Sequence, residues 1–165
     1  MRQLHLIVAA ASASCRAHFG DAPMCAAVGA ASKISGMDES QPCPCKRGEP
    51  FGGCCGPALA GERPAPTAEA LMRSRYTAFV VGDADYLLRS WHPRTRPETL
   101  DLDPGQRWLF LEILRTEHGG PFDDTGVVEF IAHYKADGAR GSLHEVSRFT
   151  RVDGAWVYLD GVIEP

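Results

Sequence analysis

Four cysteines within thirteen residues constrain the fold of this 165-residue chain more than any other feature. They are Cys43, Cys45, Cys54 and Cys55, so the spacing is C-x-C, eight residues, then C-C. Two further cysteines, Cys15 and Cys25, lie nearer the N-terminus, and residues 56–165 contain none. A secreted disulfide scaffold spreads its cysteines over the fold that they hold together. A cluster beside a long cysteine-free stretch instead predicts a local metal site in a reducing compartment.

The cluster has the composition of a tetrahedral zinc site. Zinc in structural sites takes four ligands at about 2.0–2.3 Å, and a C-x-C turn can direct two sulfur atoms at one point. The intervening loop contains Gly48, Gly52 and Gly53, which allow the tight backbone that returns the chain. Lys46 and Arg47 stand where they would offset the negative charge that four thiolates leave on a dication. We therefore predict one structural Zn²⁺, which would supply the folding free energy of so short a module.

Two other roles for the same thiols are open. They could form disulfides, although a bridge between neighbours such as Cys54 and Cys55 requires a strained ring. They could also perform redox chemistry, although the helix N-terminus that lowers a thiol pKa is not evident at this point of the sequence. Metal binding fits the spacing best.

The cluster and its loop resemble the SEC-C motif, the zinc module at the C-terminus of the SecA translocation ATPase. The C-x-C pair, the eight-residue gap, the final Cys-Cys, Gly48 and Phe51 all match that motif. The chain departs from it at Lys46 and Arg47, where the motif usually has Gly-Ser. The resemblance implies zinc ligation by the four clustered cysteines, and modules of this kind contact protein or ribosome.

The segment before the cluster, residues 1–36, has no helical or strand periodicity. We expect an unstructured leader there, and translation could instead begin at Met37, immediately before the cluster. A secretory signal is the alternative, because Arg2 precedes an apolar stretch.

The chain after the cluster has the pattern of a linker followed by a second domain. Residues 61–66 contain two prolines and no periodicity, which predicts a linker between a zinc module at 37–60 and a domain at 67–165. Thr67 can cap a helix whose apolar stripe runs to Val80. Asp83 can cap a shorter helix that continues through Trp91 until Pro93 stops it.

Strand-like stretches come next. They cover 107–117, 126–135 and 142–152, and Asp153-Gly154 joins the last of them to Ala155–Leu159 through a two-residue hairpin turn. Two helices followed by antiparallel strands predict an α+β fold in which a curved antiparallel sheet wraps the longer helix. Such a domain should fold independently of the metal, with only residues near 39–60 depending on it.

This order of elements, with the strings that fill it, resembles the YchJ-like family of bacterial proteins. The resemblance is carried by residues 71–79 (LMRSRYTAF), Trp91-His92-Pro93 and Asp153-Gly154-Ala155-Trp156. Members join an N-terminal SEC-C zinc module to a nuclear transport factor 2-like domain, a cone-shaped, cystatin-like fold. The resemblance spans Met37 to the C-terminus. It implies that fold and one structural zinc, and it implies little about function.

A cone-shaped domain encloses a pocket between sheet and helix, and relatives in that superfamily include isomerases and dehydratases. Candidate acids and bases for such a pocket are Asp85, His92, His133 and Glu145, with Arg75 and Tyr76 as possible orienting residues. A structural role is open for each. Tyr76 would be a core residue with a locally satisfied hydroxyl, and Arg75 would pair with Glu129 or Glu145 across the sheet.

The remaining candidates also have structural alternatives. Asp85 would complement the dipole of the second helix, and His92 would be a favourable cation at the end of that helix. His133 shares a strand face with Glu129 and is equally suited to a solvated position. The orientation of Glu145 depends on strand register.

Composition narrows the classes of function. The formal charge of −4 argues against broad nucleic-acid binding, and the longest apolar run of six residues predicts no membrane-spanning helix. The leading hypothesis is a cytoplasmic zinc-binding adaptor whose zinc module docks on a protein or ribosomal partner. The alternative is an acid–base enzyme that uses the pocket for a small-molecule ligand, with the zinc structural. A catalytic zinc is disfavoured because four sulfur ligands leave no position for water.

Overall fold

A computed structural model describes residues 37–165 of the protein. The chain there forms a short 3₁₀ helix at Phe51–Gly53 and three α-helices: α1 (Gly56–Leu59), α2 (Ala68–Val81) and α3 (Ala84–Arg89). Four strands follow: β1 (Arg107–His118), β2 (Thr125–Ala136), β3 (Ala139–Val152) and β4 (Ala155–Glu164). The predicted leader, its alternative as a secretory signal, and Cys15 and Cys25 lie outside the described residues.

Local sequence signals correctly predict both ends of α2 and the start of α3. The Thr67 hydroxyl accepts a hydrogen bond from the Ala70 backbone N–H at 3.0 Å, which caps α2. Gly82 ends α2 with a left-handed φ of 77°, and the Asp83 carboxylate caps α3. Within residues 37–165, no helix is long and apolar enough to cross a bilayer.

The strands form one open antiparallel sheet in the order β1-β2-β3-β4. The predicted hairpin at Asp153-Gly154 is confirmed, with φ values of 51° and 81° that a type I′ turn requires. A second hairpin of the same kind lies at Asp137-Gly138, with φ values of 51° and 80°. Because that turn joins β2 to β3, β3 begins at Ala139, three residues before the predicted start.

The helix that follows α2, namely α3, is shorter than the sequence predicts. It ends at Arg89, and Trp91 instead forms an isolated parallel bridge with Tyr158 of β4. The His92 backbone N–H then donates to the Tyr158 carbonyl at 2.8 Å. These bonds attach the end of the helical segment to the edge of the sheet.

The core lies between α2 and one face of the sheet. Alternate residues of β2, namely Val128, Phe130 and Ala132, are buried against it, as the period of two in a strand requires. Three cysteines of the cluster, with Phe51 and Leu59, belong to the same contiguous group of buried residues. The cysteine cluster therefore packs into the core that α2 and the sheet form.

Candidate metal centre and candidate ligand cavity

A tight loop brings the two cysteine pairs together. Pro42 forms a bridge with Pro50, and the Cys43 backbone N–H donates to the Glu49 carbonyl at 3.1 Å. Gly48 has a φ of 104°, a conformation that side chains other than hydrogen rarely adopt. The predicted use of Gly48 to reverse the chain is therefore confirmed.

The four sulfur atoms have the spacing of a metal site. The Sγ atoms of Cys43, Cys45, Cys54 and Cys55 all lie within 4.8 Å of one another. Cys54 Sγ is 3.4 Å from Cys45 Sγ and 3.9 Å from Cys55 Sγ. Tetrahedral zinc with Zn–S bonds of about 2.3 Å separates its sulfur ligands by about 3.8 Å. The four side chains therefore fit a tetrahedral metal ion that they would coordinate completely.

The four residues are free thiols rather than disulfides. Hydrogen bonds from Cys45 and Cys55 hold the pKa of Cys43 well below its ordinary value. Burial, together with the neighbouring Cys45, raises the pKa of Cys54 to about 12. The hydrogen bond to Cys43 is the main cause that raises the pKa of Cys55. A divalent cation would replace the protons of these thiols, because zinc binds cysteine as the thiolate.

The cluster is held against α2. Cys43 Sγ lies 3.8 Å from the Thr77 hydroxyl, and Arg73 Nη1 donates to the Cys45 carbonyl at 3.2 Å. Arg89 of α3 donates a short hydrogen bond to the Leu59 carbonyl of α1. Contacts from both α2 and α3 therefore fix the position of the cysteine module.

A broad groove borders the cysteine cluster, and we call it the arginine groove. Its empty volume is about 1260 Å³, including its open side. It is lined by the half-buried Cys54 and by one acidic and four basic side chains, Glu49, Arg47, Arg63, Arg73 and Arg151. Arg73 pairs with Glu69 at 2.7 Å, whereas Arg151 donates to the backbone carbonyls of Asp123 and Pro121 at 2.9 and 3.0 Å. Carbonyl partners fix a guanidinium without cancelling its charge, so the groove is basic.

A second cavity lies between α2 and the sheet, and we call it the core cavity. Its empty volume is about 390 Å³ including its mouth, and the space open to the centre of a water molecule is about 30 Å³. Most of its wall is apolar and is built from Met72, Phe79, Trp108, Phe130, Ala132 and Leu143. The polar wall consists of Arg75, Tyr76, Glu145, Ser147 and Tyr158. The predicted candidates Arg75, Tyr76 and Glu145 are thus brought together.

Glu145 lies on the inner face of β3 and is 1% exposed. Its Oε1 accepts hydrogen bonds from the hydroxyls of Ser147 at 2.6 Å and Tyr158 at 3.0 Å. Its Oε2 has no hydrogen-bond partner among the described residues. Burial raises the pKa of Glu145, because removal from water disfavours the carboxylate more than these hydroxyls stabilise it.

Arg75 is fully enclosed but does not pair with a carboxylate. Its Nη1 donates to the Leu87 carbonyl and to the Ser90 hydroxyl, both at 2.8 Å. Its guanidinium carbon lies 4.6 Å from the centre of the Tyr158 ring and 5.1 Å from that of Trp91. Burial lowers the pKa of Arg75 to about 10, which still leaves a cation at neutral pH. The predicted pairing of Arg75 with Glu129 or Glu145 is wrong, since α3 and two aromatic faces take that place.

Tyr76 is a core residue, as its structural alternative predicts, and is 2% exposed. The predicted local satisfaction of its hydroxyl is wrong, because no described residue provides a hydrogen bond to it. Burial raises the pKa of Tyr76 to about 12, so the hydroxyl is a donor at neutral pH.

The other three candidates lie away from the core cavity. Asp85 is exposed in the first turn of α3, where its charge complements the helix dipole. His92 accepts a hydrogen bond from the Arg94 backbone N–H at Nδ1, 3.1 Å away, after α3 has ended. His133 stacks on Phe110 with ring centres 4.0 Å apart and lies 3.2 Å from a Glu112 oxygen on the outer face of the sheet. Their predicted place in a common pocket is therefore wrong.

Sequence reasoning missed Ser147 and Tyr158, which hold the Glu145 carboxyl. Gly161 was also missed, and a Cβ atom there would lie 2.1 Å from Glu145 Oε1. Alternation along β3 places Ser147 on the same face as Glu145 and could have indicated that contact. Tyr158 and Gly161 reach Glu145 through the register of β4 on β3, which the sequence does not specify. Gly161 also lies beyond Leu159, where the predicted strand ends.

Comparisons with known proteins agree with this architecture. The family profile described as "YchJ, middle NTF2-like domain" matches residues 67–161. A UPF0225 protein from Streptomyces coelicolor is 65% identical over 120 residues, which cover 73% of this chain and 94% of the relative. A UPF0225 protein from Deinococcus radiodurans is 50% identical over 121 residues, covering 73% of this chain and 88% of the relative.

Two solved structures are also similar. The solution structure of a SEC-C motif containing protein from Rhodopseudomonas palustris has a TM-score of 0.67 and 35% identity, covering 76% of this chain and all of that one. The crystal structure of a SEC-C motif containing protein from Psychrobacter arcticus has a TM-score of 0.62 and 26% identity, covering 77% and 85%. The four-cysteine cluster fits a SEC-C module that could bind a metal. The chain thus belongs to the YchJ-like UPF0225 family and carries an NTF2-like domain with an open four-stranded antiparallel sheet.

Proposed function

We propose that the protein is a zinc-binding adaptor that docks on an acidic segment of a partner protein, either free or associated with the ribosome. Zn²⁺ at the four cysteines has a structural role, and the arginine groove beside them is the docking face. The observation that carries this proposal is the concentration of four arginines next to the cysteine cluster, on a chain whose formal charge is −4.

Zinc is the metal that the donor set favours. Four thiolates in a tetrahedral arrangement suit Zn²⁺ better than hard cations, which prefer oxygen ligands. A complete set of four sulfur ligands leaves no open coordination position, so the metal stabilises the module rather than reacting. The Lys46 and Arg47 side chains are close in sequence to the second ligand and would offset the remaining negative charge.

Charge complementarity favours an acidic partner for the groove. Arg47 and Arg63 are exposed, and within residues 37–165 neither forms an ion pair. Guanidinium groups bind carboxylates in a bidentate manner, and preorganised ones such as Arg151 lose less entropy in doing so. The acidic character of the whole chain repels nucleic acid outside this groove, which favours a protein segment as the occupant.

The proposal also covers the location of the protein, the curvature of its sheet and its division into domains. Free thiols in the cluster favour the reducing cytoplasm as the location of the protein. Register shifts in β1 and near Phe149 of β3 favour a sheet that curves around α2, since such irregularities bend strands. The boundaries 37–60, 61–66 and 67–165 remain our proposed division into zinc module, linker and NTF2-like domain.

The acid–base enzyme is the weaker alternative. Of its four candidate acids and bases, only Glu145 lines the core cavity. Glu145 already accepts two hydrogen bonds within the protein, and none of the candidate histidines is near it. A single buried carboxyl without a second acid or base favours a binding role over proton transfer.

The adaptor proposal is tested by capture on the full-length protein immobilised with its metal. A bacterial lysate is passed over the wild type, over the Arg47→Glu/Arg63→Glu variant, and over the wild type after chelation. We expect a defined acidic protein or a ribosomal fraction to bind the metal-loaded wild type, and neither the charge-reversal variant nor the chelated wild type to capture it to the same extent. Charge reversal should reduce capture at least about tenfold, because two attractive contacts become repulsive.

The matched control is Arg96→Glu/Arg140→Glu, which makes the same charge change at exposed arginines outside the groove. It should retain full capture. Equal loss with the control pair would show that only net charge matters, and capture that survives reversal in the groove would place the docking face elsewhere.

A further inference from the structure

Cys54 is the accessible cysteine of the four-cysteine cluster. Cys43, Cys45 and Cys55 are each at most 3% exposed, whereas Cys54 is half-buried and lines the arginine groove. Gly53 precedes it in the same wall, and a Cβ atom on Gly53 would meet nothing within 4 Å. Open space thus borders Cys54, so a small molecule that enters the groove meets this residue as the exposed member of the cluster.

The surroundings of Cys54 suit attack on an electrophile that carries away negative charge. Zinc binds cysteine as the thiolate, which is the nucleophilic form, and buried structural thiols are inert by comparison. Arg47 and Arg63 line the same groove, and within residues 37–165 neither forms an ion pair. Cations of this kind favour a thiolate and stabilise the anion that leaves when it reacts. A hydroperoxide fits these conditions, because its O–O bond releases hydroxide or alkoxide when a thiolate attacks it.

A second sulfur atom lies within reach of Cys54. Cys45 Sγ is 3.4 Å from Cys54 Sγ, and Cys55 Sγ is 3.9 Å from it. A disulfide joins its sulfur atoms at about 2.05 Å, so the Cys45 and Cys54 sulfur atoms must approach by about 1.4 Å. The eight-residue loop between these two cysteines contains three glycines, which ease that movement. Cys45 is the better partner, because a disulfide between the neighbours Cys54 and Cys55 requires a strained ring.

We infer that Cys54 is a site of reversible oxidation by hydroperoxides, and that the oxidised residue forms a disulfide with Cys45. The Cys54 thiolate attacks a peroxide oxygen, so an S–O bond forms, the O–O bond breaks, and the departing hydroxide or alkoxide takes up a proton. The Cys45 thiolate then attacks the sulfenic acid sulfur of Cys54. An S–S bond forms, and the S–O bond breaks to release hydroxide, which a second proton converts to water. The two thiolates thus give two electrons to the peroxide.

The disulfide removes two of the four metal ligands. Cys43 and Cys55 alone are too few to retain zinc, so oxidation releases the metal. The loop that the disulfide closes carries Arg47 and Glu49, which line the arginine groove. The oxidation state of Cys54 therefore decides whether this wall of the groove is held by metal. The inference rests on the metal centre of the proposed function and not on the docking role of the groove.

The test uses the zinc-loaded, full-length Cys15→Ser/Cys25→Ser protein, in which the cluster provides the only thiols. Limiting hydrogen peroxide is added, released zinc is measured with a metallochromic indicator, and dimedone traps sulfenic acid for peptide mapping by mass spectrometry. We expect about one zinc released for each peroxide consumed, the dimedone adduct on Cys54, and a Cys45–Cys54 disulfide when dimedone is omitted. Dithiothreitol with added zinc should restore the bound metal.

Two histidine variants separate Cys54 from the rest of the cluster. Histidine also ligates zinc, so Cys54→His and Cys55→His both keep four ligands. Cys54→His removes the accessible thiolate and should release zinc at least about tenfold more slowly, whereas Cys55→His keeps both reacting sulfur atoms and should release zinc at the rate of the background protein. Dimedone trapping in the background protein decides the site even if a histidine variant fails to fold.

Four results would each overturn the inference: zinc retained under peroxide, dimedone on another cysteine, a disulfide that excludes Cys45 or Cys54, or equal release from the two histidine variants. A background protein that never holds zinc would contradict the proposed metal centre. Dimedone trapping and the disulfide map would then still decide the oxidation site.

Discussion

Glu145 is a buried carboxyl whose ionisation opposes folding. Its carboxyl is 1% exposed, and burial raises its pKa above the ordinary value of 4.5 despite the hydroxyls of Ser147 and Tyr158. The groups that face it are those two hydroxyls, the more distant Arg75, which lowers the pKa, and Asp160, which raises it. A carboxyl with a raised pKa binds its proton more tightly in the folded than in the unfolded chain.

The pH dependence of stability follows from that difference. Between the unfolded and folded pKa values of Glu145, the free energy of unfolding falls as pH rises, by up to about 1.4 kcal/mol per pH unit. Glu145→Gln does not titrate and keeps the shape of the neutral side chain. We expect the wild type to lose stability relative to this variant as pH rises above 4.5, the ordinary pKa of this carboxyl, measured by urea unfolding. A difference between the two proteins that is independent of pH would contradict a raised pKa.

Single residues show where sequence reasoning succeeds and where it stops. The clustering of the four cysteines and the turn at Gly48 could be predicted from spacing alone, because both are local. The partners of Arg75 and Tyr76 could not, since they depend on how α3 and β4 meet α2. His133 was misplaced because its strand alternation fixes which residues share its face but not which face is buried.

The start of α2 shows how closely helix and sheet approach. The Ala68 backbone N–H donates to the Gly119 carbonyl at 2.9 Å. A Cβ atom on Gly126 would lie 2.6 Å from Gly119 Cα and 2.9 Å from Ala68 Cβ. Two glycines at the β1–β2 end of the sheet thus make room for the first turn of α2.

We therefore expect Gly126→Ala to destabilise the protein by about 1–3 kcal/mol, since the added methyl group must displace backbone. Gly53→Ala is the matched control, because a Cβ atom there meets nothing within 4 Å. Chemical denaturation of both variants measures the difference. A Gly126→Ala variant as stable as the control would contradict the close packing of α2 on this end of the sheet.

At the scale of elements, the α+β order was predictable because caps and hairpin turns are encoded within a few residues. Thr67, Asp83 and Asp153-Gly154 all have the local roles that their residue types favour. The early start of β3 was missed although Asp137-Gly138 is a turn of the same kind. The end of α3 was missed because a tertiary bond to β4 competes with helix continuation.

The whole molecule is built around one core that includes the cysteine cluster. Cys43, Cys45 and Cys55 are each at most 3% exposed and pack with Phe51 and Leu59 in the same cluster as α2. The expectation that the NTF2-like domain folds independently of the metal stays a prediction, and this shared core argues against it. Sequence spacing could predict the cluster, but the packing of the cluster on α2 requires the arrangement of the whole chain.

Elemental analysis of the purified, reduced protein tests most directly whether the four clustered cysteines hold one zinc ion. We predict one zinc per chain in the wild type and in Cys15→Ser/Cys25→Ser. Cys54→Ala should lose the metal, because three sulfur ligands and water bind zinc more weakly than four. Freshly reduced wild-type protein without zinc, or zinc retained at full occupancy in Cys54→Ala but lost in Cys15→Ser/Cys25→Ser, would show that the four clustered cysteines are not a zinc site.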